Sequence, residues 1–120
     1  MKASEVRLHL TEAQFQEMIV ARARAQGWLI HHDRGDYRQC IAGDSGFPDL
    51  VMSDAALTIF AEVKSERGKL TDHQAHWLQN LSVIPADQWL DGSATSVERE
   101  GVLVAVWRPS DWPTIQEVLA

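Results

Sequence analysis

Apolar residues first recur at helical spacing in Phe15, Met18, Ile19 and Ala23. Thr11 and Gln14 stand ahead of that run in a capping-box pattern and Gly27 follows it, which predicts a helix that starts at Thr11 and stops at Gly27. Trp28 to His32 reads as a first strand. Pro48 to Met52 reads as a second and Leu57 to Lys64, dense in β-branched and aromatic residues, as a third; Ser53 to Ala56 supply the turn between them. Thr71 and Gln74 form another capping box, opening a helix whose apolar stripe is Trp77, Leu78 and Leu81, with Gln74 sharing the inward face. Val102 to Trp107 is a continuous apolar run, the mark of a central strand buried on both faces. Arg108 to Pro113 break it, and Ile115, Val118 and Leu119 mark a closing helix capped by Ser110 or Asp111. Ser82 to Gly101, with Pro85 and Gly92, reads as a long loop that covers a site or forms part of a dimer interface. The predicted order is α-β-β-β-α-β-α. That order describes an α/β fold with a short mixed sheet flanked by helices, in a single domain over residues 1–120 with no internal repeat.

The third strand carries the most informative chemistry. Its side chains alternate between faces, so Phe60, Glu62 and Lys64 point one way and Ile59, Ala61 and Val63 the other. Asp49 precedes Glu62 by thirteen residues, and folding the second strand back on the third brings the two carboxylates and the Lys64 amine together. Two acids at a sheet edge suit a hard cation such as Mg²⁺ with its waters and a substrate phosphate. A lysine beside them can orient or deprotonate an attacking water and stabilise charge on the phosphate. The same residues also describe an exposed strand end, with Asp49 starting a turn and Glu62 and Lys64 forming a surface pair, so their context has to decide. Gln74 either steadies a catalytic side chain, a water or a phosphate near Lys64, or only caps its own helix. Glu12, in the first turn of its helix, is a candidate third carboxylate or simply a complement to the helix dipole. Glu17 falls between the apolar positions and is the weaker alternative.

Several blocks then share an order and spacing: Thr11-Glu12-Ala13-Gln14-Phe15-Gln16, Gly27-Trp28, Gly46-Phe47-Pro48-Asp49-Leu50, Glu62-Val63-Lys64-Ser65, Gly68-Lys69-Leu70-Thr71 and Gln74-Ala75-His76-Trp77-Leu78. Together they resemble the VRR-NUC branch of the PD-(D/E)XK nuclease superfamily, over roughly residues 10 to 112. The resemblance implies a restriction-endonuclease-like core and phosphodiester cleavage with Mg²⁺ or Mn²⁺. It implies Asp49, Glu62 and Lys64 as the central residues, Glu12 as the helix-borne acid, Gln74 as the motif glutamine and the Val63 backbone carbonyl as a further metal ligand. Stand-alone members are similar to Holliday-junction resolvases, in which a twofold dimer presents two sites to branched DNA, and a nuclease of this size would suit a phage or mobile element. Two stretches depart from the pattern, residues 31–40 and 82–101, and substrate choice is expected there.

Composition bears on the partner. The formal charge of −6 at pH 7 argues against strong non-specific binding to phosphates, although part of it is the carboxylates that a metal would neutralise. Arg34, Arg38, Arg67 and Lys69 are the candidate nucleic-acid contacts, and each also reads as ordinary surface charge. His31 and His32 alternate on a strand, and His73 and His76 have no partner motif, so no zinc site is assigned. Trp89, Trp107 and Trp112 read as core rather than as base-stacking residues. Cys40 is the single cysteine, no charged-then-apolar leader precedes Ser4 and no run is long enough to span a membrane. A cytoplasmic protein with no small-molecule cofactor is expected. The sequence leads to a metal-dependent endonuclease acting on branched or duplex DNA, with a non-catalytic nucleic-acid-binding module or an RNA-directed nuclease as alternatives.

Overall fold

The computed structural model describes residues 2–32 and 43–120. Two short or medium helices, α1 (Ala3–Arg7) and α2 (Glu12–Ala25), lead into strands β1 (Leu29–His32), β2 (Leu50–Ser53) and β3 (Thr58–Val63). Helices α3 (Asp72–Ser82) and α4 (Ala86–Leu90) follow, then β4 (Ser96–Arg99), β5 (Val102–Trp107), a 3₁₀ turn at Pro109–Asp111 and α5 (Trp112–Leu119). The five strands form one sheet in the order β1-β2-β3-β5-β4. β1, β2 and β3 pair antiparallel, β3 and β5 pair parallel, and β4 and β5 pair antiparallel, giving the mixed sheet of a restriction-endonuclease-like core.

Both capping boxes form as the sequence predicts. The Thr11 side chain accepts from the Gln14 N–H and the Thr71 side chain from the Gln74 N–H, while each glutamine accepts from the threonine's own N–H. Each cap satisfies backbone donors that a helix start leaves orphaned. The β2–β3 turn is held by Asp54, whose Oδ1 accepts from the N–H groups of Ala56 and Leu57 at 3.0 and 2.8 Å.

The sheet separates two apolar clusters. On one face Leu50, Met52, Ile59, Ala61, Val63, Leu103, Ala105 and Trp107 pack with α2 and α5 through Phe15, Ile19, Ala23, Ile115 and Leu119. Trp28 joins them, and its indole N–H donates to the Leu119 carbonyl at 3.0 Å. On the other face Val104 and Val106 pack with Ala75, Leu78 and Trp89 from α3 and α4. Alternation along β3 and β5 is therefore as expected, and β5 is buried on both faces. Trp89 and Trp107 are buried and Trp112 packs against the core.

The expected loop from Ser82 to Gly101 instead contains α4 and β4. Each is too short for a periodic signal: α4 buries Trp89 alone, and β4 is an edge strand without a buried residue. The β4–β5 connection is a two-residue turn, Glu100-Gly101, with φ of 53° and 80°, the positive values a tight hairpin needs. Helix α1 was not predicted either, and it has no buried face to reveal it. In α3 the fully packed stripe is Ala75, Leu78 and Ser82, rotated from the expected one, so Gln74, Trp77 and Leu81 lie half-buried on its flank. That rotation turns Gln74 and Trp77 toward the β2–β3 end of the sheet.

Candidate active site

The β2–β3 register pairs Leu50 with Ala61, which sets the next residues outward, Asp49 and Glu62, opposite one another. Asp49 Oδ2 accepts from the Val63 N–H at 2.8 Å, so the end of β3 anchors this carboxylate. Glu62 is only 1% exposed and Lys64 only 5%. The Lys64 Nζ lies 4.0 Å from Glu62 Oε1, and the Lys64 N–H continues the sheet by donating to the Trp107 carbonyl at 3.0 Å. The surface-pair alternative for these residues is excluded by their burial.

Gln74 both caps its own helix and bonds Glu62. Its Oε1 accepts from the Thr71 N–H at 2.9 Å, completing the cap, while its Nε2 donates to Glu62 Oε1 at 3.1 Å. One amide thus ties the start of α3 to the buried acid. The loop before Asp49 is pressed against the same helix start. Gly46 has φ +94°, and a Cβ there would come within 2.5 Å of the His73 carbonyl carbon and 2.7 Å of the Gln74 nitrogen. Only glycine allows that approach without a shift of backbone.

The electrostatics are set by two carboxylates confined beside a lysine. Burial and then the neighbouring Asp49, by charge and by hydrogen bond, raise the Glu62 pKa from 4.5 to about 9; Lys64 opposes the shift and Glu12 adds to it. Two carboxylates held together out of water favour a shared proton, or a metal in its place. The donor set is hard oxygen, which suits Mg²⁺ or Mn²⁺ with waters and phosphate completing the shell. Glu12 is exposed in the first turn of α2, and its charge reaches Glu62. Among the described residues no three His, Cys, Asp or Glu side chains converge to hold one ion, so Asp49 and Glu62 are the two carboxylates brought together. His31, His32, His73 and His76 form no such group either.

Arg67 and Lys69 are exposed on the loop after Lys64 and border a groove shared with Trp89 to Gly92 and Arg108. Arg34, Arg38 and Cys40 lie outside the described residues. Arg108 is the residue that sequence reasoning missed. Its Nη1 donates to the carbonyls of Ser65 and Gly68 at 2.9 and 2.6 Å and to that of Glu66 at 3.3 Å, clamping the loop that follows Lys64. Glu66 reinforces the clamp by accepting from the Ser110 N–H at 2.9 Å. The parallel pairing of Val63 with Trp107 puts Arg108 beside Lys64, a neighbourhood that no spacing along the chain reveals.

No helix among the described residues is long and apolar enough to cross a membrane. Neither the curated proteins nor the solved structures compared with the chain give a match. The family model described as the VRR-NUC domain matches residues 4–86, a span that holds Glu12, Asp49, Glu62, Lys64 and Gln74 and stops short of β4, β5 and α5. With well over half of its length matched, the chain belongs to the VRR-NUC domain family and is a nuclease-type domain.

Proposed function

We propose that this protein is a metal-dependent endonuclease that hydrolyses phosphodiester bonds in DNA, with a preference for branched substrates such as Holliday junctions. The observation that supports it most is the buried Glu62, held by Gln74 between Asp49 and Lys64. An acid pair in that environment has little structural use, since apolar residues of similar volume would stabilise the fold as well or better.

In this reading Asp49 and Glu62 would hold Mg²⁺ or Mn²⁺, with the Val63 carbonyl as a further ligand, while Glu12 acts on the site through its charge. When bound, the ion lowers the pKa of a coordinated water and offsets charge on the phosphate. Lys64 positions the attacking water and stabilises the charge that builds on the phosphate oxygens as the bond breaks. Gln74 fixes the rotation of the Glu62 carboxylate, and the Val63 N–H fixes Asp49. Arg108 holds the 65–68 loop in place. Arg67 and Lys69, with Arg34 and Arg38, contact the backbone on either side of the cut. A twofold dimer would offer two such sites to a junction.

The test is cleavage of labelled duplex, single-stranded, flap and four-way-junction DNA in Mg²⁺ or Mn²⁺ by the wild type, Lys64→Ala and Asp49→Asn. The expected result is metal-dependent cutting, strongest on branched DNA and lost in both variants. Folded protein that cuts no DNA with either metal would overturn the reading.

A further inference from the structure

A second feature adjoins the acids on the same side of the sheet. Phe60 lies two residues before Glu62 on the same face of β3, about 7 Å along the strand. Phe47 lies two residues before Asp49, and Trp77 three after Gln74 on the same side of α3. Each element that contributes to the polar site therefore contributes an aromatic ring beside it. The rings touch edge to face: Phe47 to Phe60 with centroids 6.2 Å apart at 88°, and Phe47 to Trp77 at 5.0 Å and 89°. Continued in strand register Phe47 would stand opposite Lys64, yet it contacts Phe60, so the chain leaves that register ahead of Leu50, where β2 begins.

This row of rings ends in a groove of about 300 Å³ lined by Asp44, Ser45, His73, His76, Trp77 and Asn80. The volume is at the small end of ligand pockets, suited to one heterocycle. Trp77 is half-buried in its wall, and its indole N–H donates to the Asp44 carbonyl at 3.3 Å. The other side chains are an amide, a hydroxyl, a carboxylate and two imidazoles, which match the donor and acceptor pattern of a base edge. Among the described residues no lysine or arginine lines the groove, and Asp44 repels phosphate. The described lining, one indole with neutral and acidic polar groups, suits a base better than a phosphate. Packing alone is a poor account of the rings, because Phe47 remains 40% exposed.

We propose that this groove receives an unpaired nucleobase from the strand being cut, stacked on Trp77 and read at its edge by Asn80 and its neighbours. The proposal rests on the nuclease reading and sharpens it. Trp77 is one helical turn from Gln74, which bonds Glu62, so at about 3.4 Å per nucleotide a base a few steps from a phosphate at the acids comes near it. An enzyme that must place an unpaired base there favours flaps and single-stranded ends, and a junction only through the poorly stacked pairs at its crossover, over continuous duplex, because extruding a paired and stacked base is costly.

Two measurements test it. In the first, a 2-aminopurine-labelled single-stranded oligonucleotide is titrated, without divalent metal, into the wild type, Trp77→Ala and Trp77→Phe. The same strand with abasic positions is titrated into the wild type, and binding of both strands is compared by the anisotropy of a terminal dye. Fluorescence quenching with the wild type is expected, with binding weakened at least about fivefold by Trp77→Ala or by removing the bases and largely kept by Trp77→Phe. In the second, cleavage in Mg²⁺ or Mn²⁺ is compared for duplexes with a mismatched or an abasic nucleotide next to the cut. A rate advantage of the mismatched over the abasic duplex, present in the wild type and reduced in Trp77→Ala, is expected. Equal binding of intact and abasic strands by the wild type would overturn the base site with no change to the protein. Base-dependent quenching without cutting in any metal would uphold the base site and defeat the nuclease reading alone.

Discussion

The two faces of β3 carry alternate residues of the same six-residue strand, and they are put to opposite uses. Ile59, Ala61 and Val63 are 0% exposed in an all-apolar cluster with α2 and α5. On the other side Glu62 and Lys64 are almost as deeply buried, beside a smaller cluster under α3 and α4. The first face removes apolar surface from water, which stabilises the fold by about 25 cal/mol per Å². The second confines two carboxylates and an amine, which costs stability. A strand can serve both ends because its side chains alternate, so the apolar face fixes the register that aims the charged one.

The largest effect should come from breaking the charged face alone. Glu62→Gln keeps the size of the side chain and an oxygen to accept from Gln74 but removes the carboxylate that could release its proton to bind a metal. Cleavage is expected to fall about 10²–10³-fold, the scale for losing one preorganised charge at a reacting centre. Thermal melting of the metal-free variant near neutral pH is expected to match or exceed that of the wild type. A large drop in melting temperature would show that Glu62 supports the fold and end the contrast between the faces.

The converse change is Ile59→Ala. Truncating a fully buried isoleucine costs about 2–5 kcal/mol by lost burial and the cavity left behind. Denaturant unfolding should read that loss, while cleavage per folded molecule at low temperature stays near wild type. A selective loss of activity without loss of stability would mean that the apolar face tunes the site rather than supports it.

The apolar face was largely legible in the sequence because its signals are periodic. Phe15 and Ile19 recur at helical spacing, Ile59, Ala61 and Val63 alternate, and Thr11-x-x-Gln14 and Thr71-x-x-Gln74 mark helix starts by purely local bonds. The carboxylates and Lys64 were legible from the same alternation. What stayed hidden depends on contacts between distant residues. Arg108 reaches the 65–68 loop only because β5 lies parallel beside β3. Gln74 could not be assigned to capping or to the site because its two ends serve different partners. The elements α4 and β4 were lost in an expected loop because each is about one turn or one short edge, held by neighbours rather than by a pattern of its own.

A gradient of pH should separate the faces without mutation. The folded pKa of Glu62, about 9, exceeds its ordinary 4.5, so between those values the folded protein holds a proton that the unfolded chain has released. The stability linked to that proton is complete below about pH 4.5 and is lost as pH rises toward about 9. Metal-free wild type should therefore melt at progressively lower temperature from about pH 6 to about pH 9, and Glu62→Gln should flatten that slope. Saturating Mg²⁺ should stabilise the wild type most at the alkaline end, where the proton no longer competes for the carboxylates. A slope unchanged by Glu62→Gln would place the titrating group elsewhere.

The smallest effects fall where the faces meet the helix, at Thr71 and Gln74, and they discriminate best. Thr71→Ala removes the side-chain oxygen that caps the Gln74 N–H, at a cost of about 1 kcal/mol, and leaves the Gln74 bond to Glu62 in place. Gln74→Ala loses the reciprocal capping bond at a similar cost and also frees the Glu62 carboxylate to rotate. The two variants should unfold at nearly the same denaturant concentration. Only Gln74→Ala should lower kcat, by about tenfold, with KM little changed, since the bond it removes orients a reacting group rather than binding DNA. Gln74→Glu is the informative control: it restores the capping pattern but sets a third carboxylate against Glu62, so stability at the helix start and activity at the site should part company. If Thr71→Ala and Gln74→Ala lowered kcat equally, the helix start would govern the site through its position alone, and the Gln74–Glu62 bond would lose its separate role.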